Sequence, residues 1–272
     1  MSIVFTKMSG SGNDFIIIDN RESVIKNLDK RGFVTKVCVP KISVGADGVI
    51  FIEDSEKADF KWDFYNADGS SAEMCGNGCR CVAKYAYEKN IASEKMSFET
   101  TAGIIKADIK GSCIRVKLTN PENLQMNLPI DLNGRKYQID SLNTGVPHAI
   151  IYTSDIINEN VCDIGRGIRS HTAFSPAGTN VDFVQKQGTN ELRIRTYERG
   201  VEDETLACGT GVVASALLAS RAGLVQPPVR VQTQGGEFLT VDFKATSEGE
   251  KFGEVFLEGP AKLVFEGTIV EI

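Results

Sequence analysis

The sequence predicts an α+β protein with two pseudo-symmetric lobes, each a curved, mostly antiparallel sheet wrapped around a central helix. Three observations lead to this prediction. Segments with the composition of β-strands outnumber helical segments. Each half of the chain contains one strongly helical segment, and each of these opens with Cys-Gly-x-Gly. Each half also carries Asn, then Asp-Phe, after a glycine turn. The repeat indicates one architecture used twice.

The N-terminal half reads as strands with two helices. Residues 29–39 have a helical pattern that stops at Pro40, and residues 76–90 form the first cysteine helix, with apolar side chains at helical spacing. Residues 8–14 read as a glycine-rich turn. The predicted strands are residues 3–7, 15–19, 49–53, 60–65, 97–100, 103–109 and 113–118.

The C-terminal half repeats this organisation. A second cysteine helix begins near Cys208 and ends at Gly223, a residue suited to a helix C-terminus. Residues 161–172 suggest a further helix without a clear start. The predicted strands are residues 135–139, 149–153, 181–185 and 191–197. The polar cluster at residues 119–123 marks a boundary, so we expect an N-terminal lobe of residues 1–118 and 262–272 and a C-terminal lobe of residues 119–261.

Charge and composition exclude several classes of protein. The 272 residues carry a net charge of −6, and no run of Lys or Arg exceeds two, so we expect no nucleic-acid partner. The most apolar stretch, residues 211–219, is too short to span a membrane. The N-terminus lacks the apolar core of a signal peptide. We therefore expect a cytoplasmic protein in which the seven cysteines, an odd number, form no structural disulfides.

The two Cys-Gly-x-Gly motifs have a chemical meaning. A helix N-terminus carries unpaired N–H groups and partial positive charge, so a cysteine there is expected to have a lowered pKa. The glycines let the backbone approach a small anion. If Cys75 and Cys208 faced each other, an amino acid could bind with one thiol on each side of its α-carbon. One thiolate would remove the α-proton and the other thiol would return a proton, which is the chemistry of a racemase or epimerase.

Two other readings compete with this one. Cys75, Cys79 and Cys81 could bind a metal, but Cys81 points to another helix face and no matching Cys or His pair follows, so we expect no metal. A Cys–His nucleophile could use His148 or His171. That reading leaves the second cysteine motif unexplained.

The sequence resembles the diaminopimelate epimerase family over essentially its whole length. The first half carries Asn-Ala-Asp-Gly-Ser and Met-Cys-Gly-Asn-Gly-Cys-Arg-Cys, and the second carries Thr-Tyr-Glu-Arg-Gly and Ala-Cys-Gly-Thr-Gly. The segments that carry the resemblance are residues 5–15, 45–48, 64–70, 74–81, 143–148, 178–181, 196–200 and 207–211.

The resemblance implies the fold given above and a cofactor-independent epimerase that interconverts LL- and meso-2,6-diaminopimelate in lysine and peptidoglycan precursor biosynthesis. It makes Cys75 and Cys208 the acid–base pair and places His148 and Glu198 beside the reacting centre, with Glu198 near the α-amino group. It implies no cofactor and is compatible with a homodimer. The implied substrate-binding residues are Asn13, Asn66, Asn180 and Arg199 for the distal end and Gly76, Asn77, Gly209 and Thr210 for the reacting carboxylate.

Two positions depart from the family pattern. Many members carry Gln where Gly48 stands and Asn where Val146 stands. Both changes remove a side-chain amide near the expected substrate site. A two-cysteine racemase of another amino acid is therefore the alternative function.

Overall fold

The computed structural model describes residues 2–25, 28–72, 74–245 and 252–270. The chain divides into two compact units. The first contains Met1–Lys117 and Gly259–Ile272, and the second contains Leu118–Glu258.

The first unit has two helices among its strands. Helix α1 follows Asp29, whose side chain accepts a hydrogen bond from the Arg31 N–H and so caps the helix. The elements in chain order are β1 (Ile3–Gly10), β2 (Asn13–Asp19), α1 (Lys30–Val37), β3 (Gly48–Glu53), β4 (Phe60–Asn66), α2 (Gly76–Glu88), β5 (Lys95–Thr100), β6 (Gly103–Lys110) and β7 (Cys113–Lys117).

The second unit has the same composition. Its elements are β8 (Glu122–Leu132), β9 (Arg135–Asn143), β10 (Pro147–Tyr152), α3 (Val161–Arg169), β11 (Asn180–Gly188), β12 (Glu191–Glu198), β13 (Asp203–Thr205), α4 (Gly209–Arg221), β14 (Val229–Gln232), β15 (Phe238–Ala245) and β16 (Phe252–Pro260). The chain then returns to the first unit as β17 (Lys262–Ile269).

Strand pairing has the same pattern in the two units. The first sheet runs β17–β1–β2–β3–β4–β5–β6–β7, and only β2–β3 and β4–β5 are parallel. The second runs β8–β9–β10–β11–β12–β14–β15–β16, with only β10–β11 and β12–β14 parallel. The parallel pairs fall at the same places, so the predicted pseudo-symmetric α+β fold with mostly antiparallel sheets is confirmed.

Each sheet encloses one helix. Helix α2 contacts β17, β1 and β2 at one end of its sheet and β6 and β7 at the other, so the sheet curls around it. Helix α4 contacts β9 to β12 and also β14 and β15. Ten residues of each helix are buried, including nearly all of the first two turns. The start of each cysteine helix is therefore held by its own sheet.

Several predicted boundaries were wrong. Residues 8–14 are not one turn, because β1 continues to Gly10 and β2 begins at Asn13. Only Ser11 and Gly12 turn, with φ of 53° and 96°, as a tight two-residue hairpin requires. The long strand β8 was not predicted, because residues 119–123 resemble a turn and because Asn123 and Asn127 have positive φ and interrupt the strand register. The helices end two or three residues earlier than predicted; α4, for example, ends at Arg221, before the left-handed Gly223.

Among the described residues, every helix is too short or too polar to cross a membrane.

Candidate active site

Cys75 and Cys208 occupy equivalent places in the two units. Each is the N-cap of its helix, Cys75 with φ −145° and ψ 119° and Cys208 with φ −123° and ψ 109°. Both thiols therefore project from an extended backbone immediately before the first-turn N–H groups of a helix, which have no acceptor within the helix backbone. The prediction that both cysteines open helices is confirmed.

The start of α2 is built around a buried guanidinium. Arg80 is 0% exposed and donates 2.8 Å hydrogen bonds to Ser11 Oγ and Asn77 Oδ1. It also donates to the carbonyls of Gly76 and Pro260, each at 3.3 Å. The Gly78 N–H points at Cys75 Sγ across 3.5 Å. Arg80 thus fixes the two residues that follow Cys75.

Asn13 and Asn77 are in direct contact in the first unit. Asn77 Nδ2 donates to Asn13 Oδ1 at 2.7 Å, and Asn13 Nδ2 donates to Asp47 Oδ2 at 3.0 Å. Asp47 also accepts the Asp14 N–H at 3.0 Å. This chain of hydrogen bonds ties the β1–β2 turn to the start of α2.

Asn66 lies at the end of β4, directly opposite Gly48 in the β3–β4 ladder. Its side chain is exposed and donates to Ser70 Oγ at 3.0 Å. Gly48 has no room for a side chain, because an added Cβ would stand 2.5 Å from the Tyr65 carbonyl oxygen and 2.7 Å from the Phe64 ring. Packing therefore excludes any larger side chain at position 48.

The start of α4 is built around a chain of buried hydrogen bonds. Thr210 Oγ1 lies 3.3 Å from Cys208 Sγ and 2.9 Å from His148 Nε2. His148 Nδ1 lies 2.7 Å from Asp182 Oδ2, and both side chains are 0% exposed. Thr196 donates to the other oxygen of Asp182 at 2.7 Å. A mostly buried polar chain therefore runs from three strands of the sheet, β10, β11 and β12, to the Cys208 thiol.

Asn180, Glu198 and Arg199 lie at the neighbouring ends of β11 and β12. Asn180 is buried; its amide oxygen accepts the Arg199 N–H at 2.8 Å and its amide nitrogen donates to the Pro147 carbonyl at 3.0 Å. The Arg199 guanidinium donates to the Ala177 carbonyl at 3.2 Å. The Asn180 side chain therefore positions the backbone on both sides of it.

Gly211, the second glycine of the Cys208 motif, makes room for Asp182. A Cβ on Gly211 would lie 2.4 Å from Asp182 Oδ1. The carboxylate thus packs on the first turn of α4, where the helix dipole favours an anion. The equivalent Gly78 faces Ile50 and Trp62 at 3.4 Å, an ordinary contact.

The ladder registers align the two units residue by residue. Val49 pairs with Tyr65 in the first unit and Val181 pairs with Tyr197 in the second, at the same step of the equivalent ladders. The neighbouring parallel pairs have the same register: Phe15 of β2 pairs with Gly48 of β3, and His148 of β10 pairs with Asn180 of β11. In this alignment, Phe15, Ile50 and Phe64 of the first unit are equivalent to His148, Asp182 and Thr196 of the second.

The expected lowering of thiol pKa does not hold for Cys208. Burial raises the pKa of this thiol well above its usual range, and the charges of Glu198 and Asp182 raise it further. The Thr210 hydroxyl and the Gly211 N–H act in the opposite direction. Because Cys208 is 7% exposed, the cost of desolvating a thiolate exceeds the benefit of the helix N-terminus.

Cys79 and Cys81 point into the interior. Both are 0% exposed. Cys81 Sγ packs against Gly10 so closely that a Cβ added to Gly10 would lie 2.9 Å from it. Burial raises the pKa of Cys79 well above its usual range.

His171 caps a short 3-10 turn by accepting the Ala173 N–H at 3.2 Å. In the described ranges, no three His, Cys, Asp or Glu side chains are grouped to hold a metal ion.

The residue-by-residue expectations missed three buried polar residues of these networks, Arg80, Asp182 and Thr196. Asp182 left a signal, since a carboxylate between Val181 and Phe183 in a buried strand needs partners. Arg80 was not predicted, because the neighbouring Cys79 and Cys81 suggested a metal site at this segment instead.

Comparison with known proteins places the chain in a family. A family model described as diaminopimelate epimerase matches residues 5–122 and 141–264. The diaminopimelate epimerases of Aquifex aeolicus and Hydrogenobaculum sp. are 47% and 49% identical, each match covering 98% of both chains. That of Archaeoglobus fulgidus is 39% identical over 99% of this chain and 97% of its own.

Solved structures of lower identity share the fold. A PhzF-family phenazine biosynthesis protein from Bacillus anthracis superposes with a TM-score of 0.76 at 17% identity, covering 100% of both chains. A probable proline racemase from Agrobacterium radiobacter K84 superposes with a TM-score of 0.75 at 15% identity, covering 99% of this chain and 93% of its own. With the family model and the sequence relatives in agreement over nearly the full length, the chain belongs to the diaminopimelate epimerase family.

Proposed function

We propose that the chain is a cofactor-independent epimerase that interconverts LL- and meso-2,6-diaminopimelate, with Cys75 and Cys208 as its two acid–base groups. The observation that carries the proposal is their equivalence: two thiols at the N-caps of equivalent helices in a duplicated fold. In the reaction, one sulfur removes the α-proton and the other delivers a proton to the opposite face. The substrate therefore inverts at one carbon without leaving the enzyme.

A two-base reaction starts with one thiolate and one thiol, and we infer that Cys75 is the resting thiolate. The Gly78 N–H and the Arg80 cation, which binds the Gly76 carbonyl, both favour an anion at the start of α2. At Cys208, burial and two carboxylates favour the neutral thiol. The duplicated helix starts thus differ in the way that the chemistry needs.

The reacting carboxylate binds to N–H groups at both helix starts, those of Gly76 and Asn77 and those of Gly209 and Thr210. First-turn N–H groups have no partner within the helix and attract anions. Hydrogen bonds to this carboxylate stabilise the charge that develops when the α-proton leaves.

The remaining predicted residues bind the α-amino group and the distal amino acid group of the substrate. Glu198, whose charge acts on Cys208, receives the α-ammonium group. Asn13, Asn66 and Arg199 contact the distal amino acid group. Because both ends of the Asn180 amide already hold backbone groups, Asn180 supports the site chiefly by fixing Arg199.

The test follows the α-proton in heavy water with LL-diaminopimelate. Wild-type enzyme is expected to form meso product that carries solvent deuterium. Cys75→Ser and Cys208→Ser should each lower epimerisation by at least about 10²-fold, the usual contribution of a general acid or base. Cys113→Ser, a half-buried thiol in β7, is the matched control and should keep the wild-type rate. Full epimerisation by either site variant contradicts the two-base mechanism.

A racemase of another amino acid remains the second candidate because of Gly48. The packing of Tyr65 and Phe64 against it excludes the side-chain amide that many relatives carry there. A panel of amino acids separates the two functions. Turnover of LL-diaminopimelate above every other substrate supports the epimerase, whereas its failure with turnover of a different amino acid supports the racemase.

The proposed setting is the cytoplasm, with lysine and peptidoglycan precursor biosynthesis as the pathway, and the proposed assembly is a homodimer. Val264 and Phe265 of β17 are 54% and 45% exposed, and Val4 of the paired strand β1 is 68% exposed. Exposed apolar side chains on adjacent strands favour association. Sedimentation should give a dimer mass, and Val264→Glu should lower it to that of a monomer. A wild-type monomer contradicts the assembly.

A further inference from the structure

Three side chains, the half-buried Thr210 and the buried His148 and Asp182, connect Cys208 to the interior in one unbroken chain. The distances are 3.3 Å from Cys208 Sγ to Thr210 Oγ1, 2.9 Å from Thr210 Oγ1 to His148 Nε2, and 2.7 Å from His148 Nδ1 to Asp182 Oδ2. Every link is within hydrogen-bonding distance. The sheet beside α2 carries Phe15, Ile50 and Phe64 at the positions that are equivalent to His148, Asp182 and Thr196 in the second unit.

When His148 is neutral, the partners of Asp182 fix the direction of every hydrogen bond in this chain. Thr196 donates its hydroxyl proton to one carboxylate oxygen, so the other accepts the Nδ1–H of His148. In the neutral imidazole, Nε2 then carries a lone pair and accepts the hydroxyl proton of Thr210. The Thr210 oxygen is left to accept the S–H of Cys208. All four side chains are satisfied by this single arrangement.

We propose that Thr210 and His148 form a proton relay that serves Cys208, and that Asp182 is the positioning residue that holds the relay in its working tautomer. This proposal rests on the function proposed above, because it explains how Cys208 can be both an acid and a base. In the acid state, Cys208 is a thiol and His148 is neutral. In the base state, Cys208 is a thiolate and His148 is an imidazolium beside the Asp182 carboxylate, while Cys75 has taken up one proton from water and acts as the acid.

The change of state moves two protons and leaves the total charge constant. The S–H bond of Cys208 breaks as an O–H bond forms on Thr210, and the original hydroxyl proton of Thr210 forms the N–H bond at His148 Nε2. The reverse movement restores the thiol. No proton has to leave the buried site, because the imidazolium is stabilised by the adjacent carboxylate. The charged groups acting on Cys208 are Asp182 and Glu198.

The space for this relay is built into the fold. Asp182 can stand against the first turn of α4 only because Gly211 has no side chain, since a Cβ there would lie 2.4 Å from Oδ1. The helix N-terminus and two hydrogen-bond donors stabilise the buried carboxylate. In the first unit, the equivalent position is Ile50, which fits beside Gly78 at van der Waals distance. The relay therefore belongs to one of the two catalytic thiols.

The first test measures kcat and KM for both diaminopimelate isomers. Asp182→Asn and Thr210→Val are each expected to lower kcat by about 10²–10⁴-fold, the range for loss of acid–base assistance, with little change in KM. Thr210→Ser keeps a hydroxyl at the same place and should recover most of the loss. Thr144→Val is the control, since Thr144 binds the Thr210 carbonyl at 3.0 Å without joining the relay. Wild-type kcat in Asp182→Asn overturns the proposal.

The second test separates a relay from a simple electrostatic effect. The rate of Cys208 alkylation by iodoacetamide is measured from pH 6 to 10 by peptide mass mapping, with Cys75 of the same chain as internal reference. If Asp182 only repelled the thiolate, Asp182→Asn would speed Cys208 labelling. The relay predicts slower labelling, because the imidazolium that accompanies the thiolate loses its carboxylate, and no change at Cys75. Faster labelling of Cys208, or equal slowing at both thiols, contradicts the relay.

The two proposals fail in different ways. If Cys208→Ser keeps full epimerisation, the two-thiol mechanism is wrong whatever happens at Asp182. If Cys208→Ser is inactive while Asp182→Asn and Thr210→Val keep wild-type kcat, the mechanism stands and the relay is wrong. Thermal unfolding of each variant identifies a loss that is due to misfolding.

Discussion

The helix starts at Cys75 and Cys208 share a backbone and differ in where their charge is carried. Five residues after the cysteine, α2 has the buried Arg80 and α4 has the buried Val213. The sheet beside α2 is apolar at the point where the sheet beside α4 carries Asp182. One unit therefore places a cation in the helix, and the other places an anion in the sheet.

The difference teaches how a symmetric fold produces an asymmetric reaction. Epimerisation needs two groups that approach one carbon in opposite protonation states. A duplicated backbone supplies two matching thiols, but it cannot by itself make one acidic and one basic. In the proposed mechanism, buried charges of opposite sign do so, because in the interior a charge shifts the ionisation of its neighbours more than it would in water. The predictions below break or sharpen this comparison.

The largest effect is expected for Arg80→Leu. Each buried acceptor left without a donor costs about 1–3 kcal/mol, and Arg80 serves Ser11, Asn77 and two carbonyls, so unfolding should become at least about 3 kcal/mol easier. KM should also rise, because Asn77 loses its anchor. Chemical denaturation and steady-state kinetics measure both.

The control for Arg80 is its equivalent, Val213. Val213→Ala removes apolar contacts alone, so it should lower stability with little change in KM. Ser11→Ala removes one acceptor of Arg80 and should cost about 1.5 kcal/mol. An Arg80→Leu variant with wild-type KM would show that the guanidinium does not organise the start of α2.

The second prediction compares the replacement by Ala of the equivalent glycines in the two motifs, Gly211 and Gly78. Gly211→Ala places a Cβ where Asp182 Oδ1 lies, so overpacking should cost about 1–3 kcal/mol and lower kcat through the displaced carboxylate. Gly78→Ala meets only ordinary contacts and should be neutral, or stabilising by up to about 1 kcal/mol because Ala favours the helix. Denaturation midpoints and kcat of the two variants give the comparison. Equal losses would mean that the two glycines serve the same purpose.

The third prediction concerns alkaline pH. The folded-state pKa of Cys208 is raised above its unfolded value near 8.5, so its burial stabilises the fold below that pH and the benefit is lost as pH rises. As pH rises above the unfolded value, this thiol therefore lowers the free energy of unfolding. Cys208→Ala should therefore flatten the pH dependence of unfolding free energy. Cys75→Ala should change the slope less, because Cys75 is half-buried and Cys208 is buried; identical slopes for the two variants would contradict the asymmetry.

Much of this architecture could be predicted from the sequence. The glycine punctuation, the strand composition and the two Cys-Gly-x-Gly starts are local signals, and they led to the α+β fold and to the helices after Cys75 and Cys208. Strand β8 escaped because Asn123 and Asn127 have positive φ and interrupt its alternation. The expected lobe boundaries and the roles of the site residues remain predictions.

The protonation states could not be predicted from the motifs. A helix N-terminus alone favours a thiolate, so both cysteines received the same expectation. The environment of Cys208 includes His148 and Asp182, which are 60 and 26 positions away in the chain and reach it only through the sheet register. Likewise, the need for Gly211 depends on a carboxylate from another strand. Such contacts are non-local and leave little trace in a single sequence.

The smallest effect is expected for Thr144→Val. The Thr144 hydroxyl donates to the Thr210 carbonyl at 3.0 Å and ties the β9–β10 turn to the first turn of α4. The equivalent tether in the first unit, Ser11, binds a charged group, whereas this one joins two neutral groups and should contribute about 1 kcal/mol. Because neither group titrates, the loss in Thr144→Val should be the same at pH 6 and pH 9 by denaturant unfolding. A loss that grows with pH would mean that Thr144 is coupled to the ionisation of Cys208, and the polar chain at α4 would then extend into the turn.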